Sequence, residues 1–363
     1  MRKTLLCIVS AAALLTLPAC MVSYLGRQGL AQLQVLAHRE PLEQAMQRMT
    51  PAEREKVALL IDARQFGKKE LSMPIEGVYE TWSGVHTDPI WNVSACHKDR
   101  LEPYLWKYPM FGAMPYIGFY DRKDADLERK RLQEQGFDVQ LYGAGAFSSL
   151  GWFSDPVVPS MLRYDTISLV NTVLHESAHR FLFVKGAIEF NESFASFVGD
   201  QAAIRFFATR HGWEHEITRR AIGERLDAAV FGEFIQQVVL KLETLYRRKD
   251  LSRAQKIAHR DGVFADAKVD YGRLPLQTDE YDSFQRRELD NAVILSYRRY
   301  GSGQELFDQL LERCDGDLNA AMALTRQLDA AKVPSGQKKL APFTQLKQWL
   351  ESDAHCSAHT VKS

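Results

Sequence analysis

Net charge is missing from this sequence. Lys plus Arg total 46 and Asp plus Glu total 46, so the formal charge is zero. Without an excess of one sign there is no bulk attraction to nucleic acid or to an anionic membrane surface, and no nucleic-acid partner is expected. Cysteine is scarce, 5 in 363 residues, and no CxxC pair occurs, so a zinc site built from thiolates is not suggested. Setting aside Cys7 and Cys20 near the N-terminus leaves Cys96, Cys314 and Cys356. Three thiols form at most one internal disulfide and leave one over. Their spacing does not demand the bond even where an oxidising compartment would permit it. No repeat of fixed period and no clear linker divides the chain. The apolar run Leu5–Leu17 is too short to span a bilayer as a helix. With 45% hydrophobic and 25% charged residues, the rest reads as a soluble globular chain with a core of ordinary size.

The N-terminus is a targeting pattern rather than fold. Arg2 and Lys3 precede the apolar run, which ends in Leu17-Pro18-Ala19-Cys20. This resembles a bacterial lipoprotein signal, with Pro18 a departure from the usual residue at that place. The resemblance implies diacylglycerol on the Cys20 thiol and attachment to the membrane by an N-terminal lipid anchor. Met21 stands where an Asp would argue for inner-membrane retention, so the expected location is the periplasmic side of the cell envelope, with the outer membrane favoured. Plain cleavage after Ala19 and secretion is the other reading, and both export the protein.

Organisation along the chain follows composition. Residues 1–19 are the signal. Residues 20–74 read as a helical arm, with Thr50 capping a helix that begins at Pro51. Residues 75–212 form the expected catalytic core. Short strands rich in aromatics and glycine give way to a solvated helix at Asp124–Gly136, then to two strong helices at 165–184 and 191–210, with Gly186 and Gly212 where end caps belong. Residues 213–352 read as helical again, and the polar tail 353–363 as disordered.

The chemistry sits in "NTVLHESAHRFLFVKGAIEFNESFASFVGD" (171–200). Residues i and i+4 share a helix face, so His175 and His179 present two imidazoles side by side. Each can offer a nitrogen to zinc at about 2.0–2.1 Å. Glu176 is turned about 100° round the axis, where a carboxylate can serve a water activated at the metal as general base. A third ligand is needed, and Glu192, beyond the Gly186 turn, is the best candidate. Asn191 is expected to cap its helix. Glu192 shares a face with Ala195, Ser196, Gly199 and Ala203, a small-residue stripe that lets two helices come close. Phe194, Phe197, Val198 and Ile204 read as core. Glu189 is the nearer rival ligand; Asp200 reads as solvated. His355, Cys356 and His359 look like ligands in isolation but read as tail residues. The plain alternative, two surface histidines beside an ordinary Glu, sits badly with Leu174, Ala178, Phe181 and Leu182, which make the helix largely buried.

"HESAH" followed by "NESFASF" resembles the gluzincin metallopeptidases, and is similar to the large zinc aminopeptidases, whose second motif reads Asn-Glu-Gly-Phe-Ala-Ser-Tyr. More of the chain resembles the bacterial "putative aminopeptidase" lipoproteins, through "ARQFGKKELSMP", "WNVSA", "GAMPYIGFYD", "SSLGWFSDP", "FVKGAIEFNESFASFV" and "DNAVILSYRRY". The resemblance covers most of residues 20–300. It implies zinc held by His175, His179 and Glu192, with Glu176 as base and proton shuttle. In gluzincins an edge strand upstream of the motif helix pairs with the substrate main chain, which points to Ala144, Gly145, Ala146 and Phe147. A tyrosine often stabilises the oxyanion in such enzymes, and Tyr297 is the candidate. Two positions depart from the pattern. Ser196 stands where thermolysin-like members carry an orienting Asp. Gly112-Ala113-Met114-Pro115 has Pro where the aminopeptidases' amine-gripping loop has Glu.

The expected fold is an α-rich α+β zincin, with its cleft between a small mixed sheet and the paired helices. The expected activity is hydrolysis of peptide substrates with Zn2+. Three readings stay open: an exported aminopeptidase, an endopeptidase acting on envelope proteins, and a lipoprotein scaffold whose zinc is structural or absent. Oligomeric state is left open.

Overall fold

The computed structural model describes residues 19–85, 88–108, 112–144, 155–301, 303–330, 340–352, 354 and 356. The chain opens with helix α1 (Ala19–Ala37), a short strand β1 (Glu40–Pro41), α2 (Leu42–Met46) and α3 (Pro51–Leu71). Strands β2 (Val78–Trp82), β3 (Ile90–His97), β4 (Trp106–Tyr108), β5 (Gly112–Met114) and β6 (Tyr116–Phe119) follow, then α4 (Arg122–Glu134), β7 (Phe137–Ala144) and β8 (Asp155–Val157). The remainder is helical: α5 (Thr166–Phe181), α6 (Ile188–His211), α7 (Glu216–Arg247), α8 (Arg253–Tyr271), α9 (Ser283–Arg286), α10 (Asn291–Gly301), α11 (Gln304–Arg313), α12 (Leu318–Ala330) and α13 (Pro342–Glu351). A helix-rich chain with small sheets is what the α-rich α+β expectation describes.

Helix starts fall where the sequence supplies a cap. Thr50 accepts from Glu53 N at 3.3 Å while the Glu53 carboxylate accepts from Thr50 N at 2.8 Å, satisfying two end donors of α3 behind Pro51. Asp165 accepts from Ile167 N and Ser168 N at 2.8 and 2.9 Å and so fixes the start of α5. At the other end of the pair, Gly212 terminates α6 with φ +92°. Gly186 also has positive φ, +81°, but it lies in the turn after α5, whose cap is Leu182.

Strand β3 is the centre of a three-stranded antiparallel sheet of order β6-β3-β7, with Val93 opposite both Ile117 and Leu141. β7 is therefore an edge strand. A second small sheet runs β1-β2-β8, and β4 pairs with β5. The main core gathers α3, α5 and α6 around Leu60, Leu169, Leu174, Phe194 and Phe197, joined by Phe307 of α11. Each such side chain is worth about 1.5–3 kcal/mol when taken from water. α3 thus shares a core with the motif helices. α1 lies along the sheet, where Tyr24 donates to Gly118 O at 2.8 Å and the Gln28 side chain accepts from Tyr120 N at 3.0 Å.

A buried ion pair joins the sheet to the C-terminal helices. Asp138 of β7 takes two hydrogen bonds from the Arg260 guanidinium of α8 and accepts Asn291 N, the first residue of α10, at 3.1 Å. Cys314 is bonded to Cys356, and Cys96 is free and buried. Just beyond α13, Arg313 donates to Ser352 O and Ala354 O at 2.8 and 3.2 Å, and Cys356 is held by the disulfide; the rest of the 353–363 tail lies outside the described residues. Among the described residues no helix is long and apolar enough to cross a membrane.

Candidate metal centre

Burial of one face of α5 decides where its imidazoles point. Leu169, Val170, Val173, Leu174 and Ala178 are sunk in the core, which leaves His175 and His179 aimed at α6. Their rings stand 4.9 Å apart at 83°. The turn back to α6 is pinned by Asn191, whose side-chain amide accepts from Val184 N and donates to Val184 O, both at 2.8 Å. That corrects the expectation that Asn191 caps the helix. α6 begins earlier, at Ile188 after Ala187, because the amide is better used closing the turn. Glu192 then lies in the second turn and faces both histidines. Its Oε2 is 3.6 Å from His175 Nε2 and 3.9 Å from His179 Nε2.

Close approach of the two helices depends on Gly199. A Cβ there would lie 3.0 Å from Asn171 Oδ1, 3.2 Å from Asn171 O and 3.2 Å from His175 Cβ. Gly199→Leu is therefore expected to destabilise the metal-free protein by about 1–3 kcal/mol through overpacking. The midpoint of urea unfolding measures this, and a midpoint equal to the native one would show that the contact carries no constraint.

The electrostatics suit a cation. Burial works against a charged His175, but the Glu192 carboxylate beside it, with the charges of Glu176 and Asp200, holds its pKa above the usual histidine value. Burial and the neighbouring His175 push His179 down to about 4, so its ring is neutral near pH 7. Burial would raise Glu192, yet the two histidines and Arg299 outweigh it and keep the carboxylate ionised. One ligand atom from each of the three residues lies within 4.8 Å of the others. Ligand atoms gathered this closely from two helices are what a single ion needs. His179 Nδ1, buried and without a hydrogen-bond partner among the described residues, leaves Nε2 as the nitrogen turned to the site. The donor set fits a metal ion, and Glu176 stands next to it on α5.

Four residues surround this group that spacing alone did not single out. The hydroxyl of Tyr116, at the start of β6, is held in its neutral form by burial and by the charge of Glu192. Tyr142 of β7 is likewise raised by burial, with Glu192 adding to the shift and Arg299 opposing it. Arg299 of α10 is buried and stands 5.3 Å over the Tyr116 ring. Tyr79 of β2 is 1% exposed, holds φ +51°, and has a hydroxyl without a hydrogen-bond partner among the described residues. Burial and the charge of Glu176 raise it. Tyr116 had a signal in the sequence: it directly follows the Gly112–Pro115 segment compared with the amine-gripping loop, while Arg299 lies in "DNAVILSYRRY" and Tyr142 two residues before Ala144.

The other expected site residues fall as follows. Tyr297 packs on Phe231 and Phe284, with centroids at 5.1 and 5.7 Å, and lines a cavity beside α7. Tyr116 and Tyr142 are tyrosines whose charges interact with Glu192. Ala144 ends the edge strand β7, paired with Ile90; Gly145, Ala146 and Phe147 lie outside the described residues. Cys20 is in the first turn of α1, and residues 1–18 lie outside the described residues. Asp200 is not simply solvated. It accepts from Asn171 Nδ2 at 2.6 Å and stands 3.8 Å from Arg225. Glu189 faces Arg298 at 3.2 Å.

A protein-family model described as "Putative aminopeptidase" matches residues 23–340. No curated protein and no solved structure matches the chain.

Proposed function

The chain belongs to the "Putative aminopeptidase" family, and from that premise we propose that it is a zinc-dependent peptidase of the gluzincin type, with a zincin-like core and an aminopeptidase activity. The observation that carries the metal part is the convergence of His175, His179 and Glu192 from two packed helices. These three residues would hold the ion. When bound, zinc supplies Lewis acidity: it brings the pKa of water down to about 7 and polarises a carbonyl. Glu176 takes the proton from the attacking water and returns it to the leaving amine. Tyr116 and Tyr142, kept neutral by burial and near enough to feel the Glu192 charge, would donate a hydrogen bond to the oxygen that gains charge. Among the described residues β7 pairs only with β3, and its other edge would offer main-chain groups to an extended peptide. Export and lipid attachment at Cys20, with the outer membrane as destination, belong to the same proposal and rest on the N-terminal sequence pattern.

The test is metal analysis of the purified chain together with a peptide ladder from one defined substrate. About one zinc per chain is expected, with stepwise loss of N-terminal residues. Internal cuts would instead make it an endopeptidase, and full zinc without hydrolysis of any peptide pool would make it a scaffold. Removing the ion with a chelator should also lower stability, by about 4 kcal/mol if free zinc had stood at a thousand times its Kd. The loss should shrink in acid, where protons compete for His175. A melting temperature indifferent to chelation would argue against an ion at this site.

A further inference from the structure

A cavity of about 290 Å³ opens beside the metal group, between the α5–α6 pair and α7. Two wall residues tie it to the centre. Asn171 is one helical turn before His175, and Ser196 one turn after Glu192, a step of about 6 Å. The charge of Asp200, also in the wall, acts on His175. The volume is at the low end of pockets that take small molecules, roughly 300–1,000 Å³. It suits one side chain, not a folded partner.

Its lining has two parts. Ala203, Ala221 and Phe231 give it an apolar flank, while Asp200, Glu224 and the exposed Glu280 give it carboxylates. The cations nearby are already shared. Arg225 pairs with Asp308 and stands 3.8 Å from Asp200, and Arg220 is 3.0 Å from Glu224 and 2.8 Å from Asp279. These two guanidinium groups thus face five carboxylates, Glu280 included. A separate feature points to a ligand as well. The Arg225 side chain is 7% exposed and lines the cavity, and its Nε–H, 3.8 Å from Asp200 Oδ2, makes an ion pair there but has no acceptor within hydrogen-bond reach among the described residues. A buried donor left unmet is costly, and an acceptor brought in by a ligand would relieve it. Burial raises the Glu224 carboxyl to about 7, Arg220 opposing and Glu280 and Asp165 adding to the shift. A cation arriving in the cavity would favour its ionised form.

We propose that this cavity receives a lysine or arginine side chain of the peptide, its methylenes along Ala203, Ala221 and Phe231 and its charged end between Asp200, Glu224 and Glu280. Arg225 Nε–H donates to a carbonyl oxygen of the same peptide. This rests on the peptidase reading above, so the test separates the two. Calorimetry on the zinc-loaded full chain compares acetyl-arginine amide, acetyl-leucine amide and leucine amide. Saturable binding of the first alone is expected, weakened about 10- to 100-fold in Glu224→Gln and Glu280→Gln. Glu280 is on an exposed turn, so its variant tests the pocket even if Glu224→Gln unfolds. Binding of leucine amide without acetyl-arginine amide would place a peptide α-ammonium here and overturn the proposal. So would hydrolysis that shows no preference for basic residues together with no binding of acetyl-arginine amide. Binding of acetyl-arginine amide by a chain that cleaves no peptide would uphold the pocket and remove the peptidase reading.

Discussion

Glu176→Gln should take up zinc as the native chain does and hydrolyse peptides about 10²–10⁴-fold more slowly. The substitution keeps shape and polarity at a position that is not among the three converging ligands. It removes only the capacity to accept a proton. Zinc content and thermal stability should therefore stay close to native while kcat falls. The comparison with Glu192→Gln makes the assignment sharp. That change removes a ligand charge between His175 and His179, so it should lose metal first and activity as a consequence. Native turnover in Glu176→Gln would remove the general base from the mechanism.

Asp138→Ala should destabilise the fold by about 3–5 kcal/mol, the usual result of stripping one partner from a buried ion pair. The Asp138 side chain is 5% exposed and that of Arg260 is 8% exposed. With the carboxylate gone, Arg260 keeps Lys98 O, 2.8 Å away, while Asn291 N loses its acceptor. Asn291 also donates to His97 O and accepts from the Tyr246 hydroxyl, both at 2.8 Å. The start of α10 is thus fixed by one network, and α10 carries Arg299 to the metal group. A fall in the urea midpoint, with weaker zinc retention, is the expected readout. Replacing both charges, as in Asp138→Leu with Arg260→Met, should recover much of the loss, since no lone charge is then buried. A single variant as stable as native would mean that water reaches Arg260.

What the sequence showed and what it hid divide along physical lines. Local rules worked where local forces decide. Thr50 and Pro51 mark the start of α3 because capping needs only neighbours in sequence. The i, i+4 spacing put both imidazoles on one face because helix geometry allows nothing else, and the small residues around Gly199 announced a close helix pair. Asn191 misled because an amide next to a turn can close the turn instead of capping the helix. Tyr79, Tyr142 and Arg299 arrive at the metal group from β2, β7 and α10, and no spacing in the sequence links those segments. The same holds for the cavity, whose wall draws on α5, α6, α7 and the turn at Glu280. Asp200 looked like a solvent-facing acid on a helix until α7 supplied Arg225 opposite it.

The bond between Cys314 and Cys356 has a practical consequence at the bench. It closes a stretch with a sequence separation of 42, a clasp worth about 2–4 kcal/mol by loop closure. Thiol additives that keep most proteins tidy during purification would open it and leave the end of α13 held only by the Arg313 hydrogen bonds. The same reagents bind zinc, so a preparation made in dithiothreitol could look inert for two unrelated reasons. Material folded under oxidising conditions and kept free of thiols is the sample on which a negative assay would carry weight.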